Sequence, residues 1–199
     1  MKHAIIVAHP SPQSFNLTMA RTYQATVEQL GCVCVLRDLY RILFDPRLRD
    51  GEIPRPEGFA PGEDVLRERE LIGDADVFAL IYPLWFNSPP AMMKGYLERV
   101  FGMGFGYRAG GGGLEGLLRG CSLISISSSG APEDWVVETG GLSALQRLVD
   151  EHFSQVCGLS IVEHVHFGQI APGITSEAVD DCARSLADRL KFHFGPAKV

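Results

Sequence analysis

The chain has 199 residues, 46% of them hydrophobic and 21% charged, with a formal net charge of −6. That length and balance fit a single domain, 1–199, with a full-sized core, and they argue against intrinsic disorder and against a nucleic-acid surface, since no basic run appears. No uninterrupted apolar run approaches the roughly 20 residues needed to span a bilayer. The opening segment, Met1 to Pro10, reads as a strand and turn rather than a secretion signal. The five cysteines, odd in number and mostly in apolar segments, are expected to be free thiols in a reducing cytoplasm.

Lys2 to Ala8 reads as the first strand, apolar from Ala4 onward as in a strand covered on both faces. His9 to Phe15 is the turn after it. Ser14 or Asn16 then caps a helix whose apolar positions Ala20, Tyr23, Val27 and Leu30 recur at helical spacing, and Gly31 stops it. Cys32 to Leu36 is the second strand. From Tyr40 to Gly62 the periodicity fades while Pro46, Pro54, Pro56 and Pro61 accumulate, which marks a long loop. Loops of that length inside a compact domain are usually functional. Glu63 to Ile72 is a short helix, and Asp74 to Tyr82 leads into the third strand. Ser88 as N-cap and Pro89 as first helical residue announce the next helix.

Beyond it, Ala109 to Gly113 reads as a flexible loop and Cys121 to Ser127 as the fourth strand. Leu142 to Val156 is a helix, Leu159 to Phe167 the fifth strand, and Ser176 to Phe194 the last helix. In that helix Glu177, Asp180 and Asp181 near the start and Arg189 and Lys191 near the end complement the helix dipole. Five strands alternating with helices predict a doubly wound parallel α/β sheet, most simply in the flavodoxin-like order 2-1-3-4-5.

In such a sheet ligands sit in the crevice beyond the carboxyl ends of the strands. Three loops meet there in the predicted order: His9–Asn16, Pro83–Pro90 and Ser127–Gly130. The first offers free amides at Ser14, Phe15, Asn16 and Leu17 at a helix N-terminus, a serviceable anion site. The second carries Trp85 and Phe86. Pro89 and Pro90 lack an N–H, so the helix they open has lost two donors and is a poor phosphate cradle. The aromatics and the backbone amides of Leu84 and Phe86 suit a flat, hydrogen-bonding ring, although aromatics that merely cap the core would look the same. The third loop offers small donors that approach a ring edge. Ordinary caps and turn formers would also account for these serines and Asn16, but three such loops converging favour a phosphate-bearing planar ligand. His164 and His166 alternate on one strand face at a spacing compatible with a metal. With no acidic or thiol partner evident, one satisfied and one exposed histidine is the expectation.

At these loops the sequence resembles the flavoprotein NAD(P)H:quinone oxidoreductases, the DT-diaphorase-like branch of the flavodoxin-like fold. The matching residues are Ala8-His9-Pro10 with Ser14-Phe15-Asn16, and Tyr82-Pro83-Leu84-Trp85. Further on they are Pro90-Ala91 with Lys94-Gly95-Tyr96, Glu98-Arg99-Val100-Phe101, and Gly104-Phe105-Gly106-Tyr107. The similarity covers most of residues 1–135. It implies a bound flavin, a homodimer with shared active sites, and two-electron reduction of quinones or similar aromatic acceptors by NAD(P)H in alternating half-reactions. It carries His9, Ser14, Phe15 and Asn16 to the flavin phosphates and ribityl chain, Pro83, Leu84, Trp85 and Phe86 to the isoalloxazine, and Ser127, Ser128, Ser129 and Gly130 to the ring's polar edge. Tyr107 would roof the partner subunit's substrate pocket. The family's tyrosine and histidine beside the flavin fall here on Trp135 and Gly141, so Trp135 becomes the candidate donor to the reduced ring. FAD is the expected flavin, on Asn16 and the long 41–62 loop; FMN, which reductases regulating potassium efflux are associated with, is the alternative. Two other functions share the same flavin: a redox-sensing regulatory subunit of a membrane transporter, and a one-electron carrier. The carrier's T-x-T-G-x-T phosphate loop is missing after strand one.

Overall fold

The computed structural model describes residues 1–196. Five parallel strands, β1 (Lys2–Val7), β2 (Val33–Asp38), β3 (Val77–Pro83), β6 (Ser122–Ser128) and β7 (Ser160–Phe167), form one sheet in the order β2-β1-β3-β6-β7. This is the predicted 2-1-3-4-5 arrangement. β1 and β3 lie at its centre because both are apolar on both faces: every residue of β3 and all but Lys2 of β1 are buried. One face is covered by α1 (Phe15–Gln29) and α7 (Ser176–Phe194), which contribute Leu17, Tyr23, Val27, Leu186 and Leu190 to the core. The other face carries α2 (Glu63–Ile72), α3 (Ala91–Val100) and α6 (His152–Cys157), with Val65, Ile72, Met93, Tyr96, Val100 and Cys157 packed on Phe78, Leu80 and Leu123. None of the helices among the described residues is long and apolar enough to cross a membrane.

The helical run before β7 is built from α5 (Gly141–Leu145), a π-helical turn (Gln146–Glu151) and α6. The wider π turn sets the side chain of Asp150 against the sheet, where it is buried. Such insertions recur at functional sites.

Three local expectations change. Ser88 does not cap α3. Its N–H and C=O are both used in reciprocal bonds to Trp85 (3.2 and 3.0 Å), so Pro90 is the N-cap and Ala91 the first helical residue. The glycine run is not a flexible loop but the tip of an antiparallel hairpin, β4 (Tyr107–Gly110) and β5 (Gly113–Gly116). Gly113, at φ 133°, supplies a turn that L side chains rarely adopt, and Arg108 Nε donates to Glu115 Oε2 across the strands at 2.8 Å. Finally, Glu133–Glu138 forms a short helix, α4, that the sequence pattern did not announce.

The long loop after β2 is pinned rather than loose. The guanidinium of Arg99 in α3 is wholly buried; it donates to both carboxylate oxygens of Glu52 (2.8 and 2.6 Å), to Asp64 Oδ2 (2.7 Å) and to the carbonyl of Asp45 (2.5 Å). These bonds hold the carboxyl groups of Glu52 and Asp64 below the usual carboxylate range.

Candidate active site

The three predicted loops do meet. A crevice of about 250 Å³ opens beyond the carboxyl ends of β1, β3 and β6, and its walls include His9, Ser14, Phe15, Asn16, Pro83, Leu84, Trp85, Ser128, Ser129 and Gly130. Its chemistry follows from the local folding of each wall. Ser14 takes the N-cap of α1, its hydroxyl accepting from the N–H of Leu17 at 3.2 Å. That leaves the N–H groups of Phe15 and Asn16, in the first turn, without an acceptor among the described residues. They face outward at the positive end of a 15-residue helix. Asn16 is buried; its side-chain amide donates to Ser128 Oγ at 3.1 Å and so ties the first wall to the third. His9 accepts from the N–H of Ser11 at 3.0 Å, and burial lowers its pKa. Among the described residues, no Lys, Arg, Asp or Glu lines the crevice. An anion held there is therefore held by backbone amides and the helix dipole rather than by an ion pair.

The second wall is an aromatic turn. The Leu84 N–H donates to the Ser128 carbonyl at 2.6 Å, which extends the pairing of β3 and β6 past the sheet. Immediately after it, Phe86 and Asn87 adopt positive φ (52° and 55°), an uncommon conformation for side-chain-bearing residues. The Asn87 side chain donates to the Gly141 carbonyl at 3.1 Å and so braces the turn. Trp85 stands tilted against His9, ring centroids 6.0 Å apart, while Phe86 projects wholly into solvent.

Four residues singled out from the sequence do not reach the crevice walls. Phe86 lies outside on the turn. Ser127 is buried with its hydroxyl turned away toward β7. Tyr107 opens the β4 strand, and Trp135 sits on α4 with its ring more than half exposed.

Behind the third wall lies a polar assembly that was not foreseen. Ser125, Ser127 and Ser129 alternate along β6 and just past it. His164 and His166 of β7 are in register with Ser125 and Ser127. The expectation of one satisfied and one exposed histidine fails: both imidazoles are buried and both are bonded on both nitrogens. Their acidic partner is Asp150, which the π turn delivers. Asp150 Oδ1 accepts from Ser125 (2.6 Å) and Oδ2 from His164 Nδ1 (2.5 Å). His164 Nε2 meets Ser127 Oγ at 2.7 Å, Ser127 Oγ meets His166 Nδ1 at 2.8 Å, and His166 Nε2 meets Ser129 Oγ at 3.0 Å. The serine stripe in a buried strand was the available signal, because small hydroxyls on a core face need partners.

A doubly wound sheet with a neutral crevice between a helix N-terminus and an aromatic turn defines a flavodoxin-like protein, and the family model described as "Flavodoxin-like fold" matches residues 1–190. Over 200 residues the chain is 34% identical to an uncharacterized NAD(P)H oxidoreductase of Haemophilus influenzae, covering 100% of this chain and 96% of the relative. It is 30% identical over 150 residues to the human ribosyldihydronicotinamide dehydrogenase (quinone), covering 66% of this chain and 65% of that one. The solved NAD(P)H:quinone oxidoreductase from Methanothermobacter marburgensis aligns with a TM-score of 0.85 at 27% identity, over 97% of this chain and 98% of that one. The chain belongs to the NAD(P)H:quinone oxidoreductase family.

Proposed function

We propose that this protein is a flavin-dependent NAD(P)H oxidoreductase that reduces quinones or similar aromatic acceptors by two-electron hydride transfer in alternating half-reactions. One observation carries the reading: the crevice joins unpaired helix-start amides, a proline-bounded aromatic wall and a serine edge around a space without charged side chains. That donor set fits a flavin. The N–H groups of Phe15 and Asn16, with Ser14 and His9, would hold its phosphates. Pro83, Leu84 and Trp85, with Phe86 at the rim, would hold one face of the ring, and Ser128, Ser129 and Gly130 its polar edge. When bound, the flavin supplies the hydride chemistry; the protein supplies orientation, exclusion of water and electrostatics.

We assign FAD, with FMN as the shorter alternative. Arg41 donates to the Pro10 carbonyl at 2.6 Å and so brings the long loop after β2 to the phosphate end of the crevice. A second copy of the chain would complete the site. The wholly exposed Phe86 needs a cover, and a 420 Å³ recess bordered by Pro89, Leu97, Leu148 and Phe153 gives the same side of the molecule an apolar face. Tyr107 would then roof the partner's pocket. Trp135, exposed on α4, is assigned to the wall of the acceptor space rather than to a donor on the ring. Unpaired cysteines throughout the described residues suit a cytoplasmic setting.

The test is an anaerobic single-turnover experiment. NADH or NADPH should bleach the bound flavin, and a quinone should restore the colour, with a parallel-line steady-state pattern. Flavin that stays oxidised under both donors would remove the enzyme reading.

A further inference from the structure

The Ser–His–Asp assembly behind the crevice has a property that structural hydrogen bonding does not require. Every member except Asp150 is both donor and acceptor, and its bonds run without a break from the carboxylate to a residue of the crevice wall. The carboxylate sets the resting direction. His164 Nδ1–H donates to Asp150, which leaves its Nε2 lone pair for the Ser127 hydroxyl. Ser127 in turn accepts from His166 Nδ1–H, and His166 Nε2 accepts from the Ser129 hydroxyl. In this arrangement each hydroxyl proton is placed.

A second arrangement is equally complete. If His166 Nε2 gains a proton, it donates to Ser129 Oγ, and the Ser129 hydroxyl needs another acceptor. The carbonyl of Ala131 already stands 3.0 Å from it. The line therefore holds zero or one extra proton with no donor left unpaired, and the exchange is one rotation of one hydroxyl. At the other side, His164 and His166 border a separate recess of about 370 Å³ along the β7 edge, open to solvent between α4 and α7.

We propose that Ser129, His166, Ser127, His164 and Asp150 form a proton line that takes up one proton from solvent when negative charge is placed on a ring bound in the crevice. This rests on the flavin reading above. The balance is simple. One proton from solvent bonds to His166 Nε2; the Ser129 O–H···Nε2 bond breaks and a Ser129 O–H···O=C bond to Ala131 forms. No electrons move in the line, and its gain of one positive charge offsets one negative charge added beyond Ser129. Asp150, His164 and His166 act through Ser129 and are positioning residues.

The groups around the imidazoles are consistent with this. Besides Asp150, the recess presents Glu133 from α4 and Asp181, Cys182 and Arg189 from α7, and Arg189 is already paired with Glu163. Tyr82 of β3, in register with Ser127, is buried and held neutral by burial and by the Asp150 charge. The surroundings therefore favour a cation at the histidines once burial is overcome. With nothing charged in the crevice, burial above all holds the pKa of His166 down at about 4, so His166 rests without the extra proton at neutral pH.

The test measures the midpoint potential of the bound flavin against pH, from pH 7 to 8.5, in the wild type, His166→Gln and Ser129→Ala, the last a mild change that keeps the strand intact. Each proton taken up with a two-electron reduction adds about 30 mV per pH unit. The wild type should show about 60 mV per unit, and both variants about half that. In parallel, ¹⁵N spectra of the histidines should show His166 neutral in the flavin-free protein and protonated at pH 7 in the reduced holoprotein. A flavin-loaded protein with equal slopes in all three forms and a neutral His166 after reduction overturns the proton line alone. A protein that takes up no flavin overturns the line together with the reading beneath it.

Discussion

Two of the buried polar assemblies among the described residues lie on the same side of the sheet and are built from opposite chemistry. The Arg99 cluster is a donor that never deprotonates set against Glu52, Asp64 and the Asp45 carbonyl. Its bonds have one possible direction. The Asp150 line is made of hydroxyls and imidazoles, and every link beyond the carboxylate has two. The first kind of assembly stores position: it fastens a long irregular loop to α3. The second stores a proton, and it ends at the crevice. Burial of charge alone does not distinguish structure from function; reversibility of the bonds does.

The largest expected effect breaks the first assembly. Arg99→Met removes the cation and strands the buried Glu52 carboxylate, and losing one partner of a buried pair costs about 3–5 kcal/mol. Urea denaturation should show that loss in full at pH 8 and less of it at pH 6, because the Arg99 bonds are what hold the Glu52 and Asp64 carboxyls low, and without them burial pushes the Glu52 carboxyl up so that its protonation relieves the stranded charge. A loss no larger at pH 8 than at pH 6 would show that removing Arg99 leaves no carboxylate stranded.

A smaller effect sharpens the contrast through pH. Burial depresses the folded-state pKa of His166 and of His3 to about 4, against an unfolded value of about 6.5. Between these values the unfolded chain binds more protons than the folded one, so stability falls as pH is lowered from 6.5 toward 4. It is flat with respect to these groups above 6.5. His166→Gln should remove part of that acid slope, leaving the share of His3, whereas Arg99→Met leaves both histidine shares in place and adds a loss that shrinks toward acid as Glu52 takes up a proton. Denaturation midpoints at pH 8, 6.5 and 5 for the three proteins check both statements.

The two assemblies also differ in how far they were legible. The sheet order was readable because β1 from Ala4 onward and β3 are apolar and the helices between carry clear stripes. The crevice was readable because its three walls follow strand ends. What stayed hidden depends on tertiary placement. Asp150 lies in an otherwise helical stretch, and nothing in its spacing announces the π turn that aims it at β7. His164 and His166 therefore looked partnerless. The cap of α3 was misplaced because Ser88 before Pro89 is a good cap in isolation, and only the reciprocal pairing with Trp85 shows that its backbone is committed to a turn. The glycine run read as mobile because its pairing with the second half of the hairpin depends on one residue, Gly113, at positive φ.

Everything assigned to the crevice and to the line behind it depends on a flavin being there. The direct measurement is the visible spectrum of the purified protein, with the cofactor released by denaturation and identified. The account predicts a yellow protein that yields flavin in a one-to-one ratio with the chain, as FAD. A protein that is colourless, and stays colourless after incubation with FAD and with FMN, would contradict it.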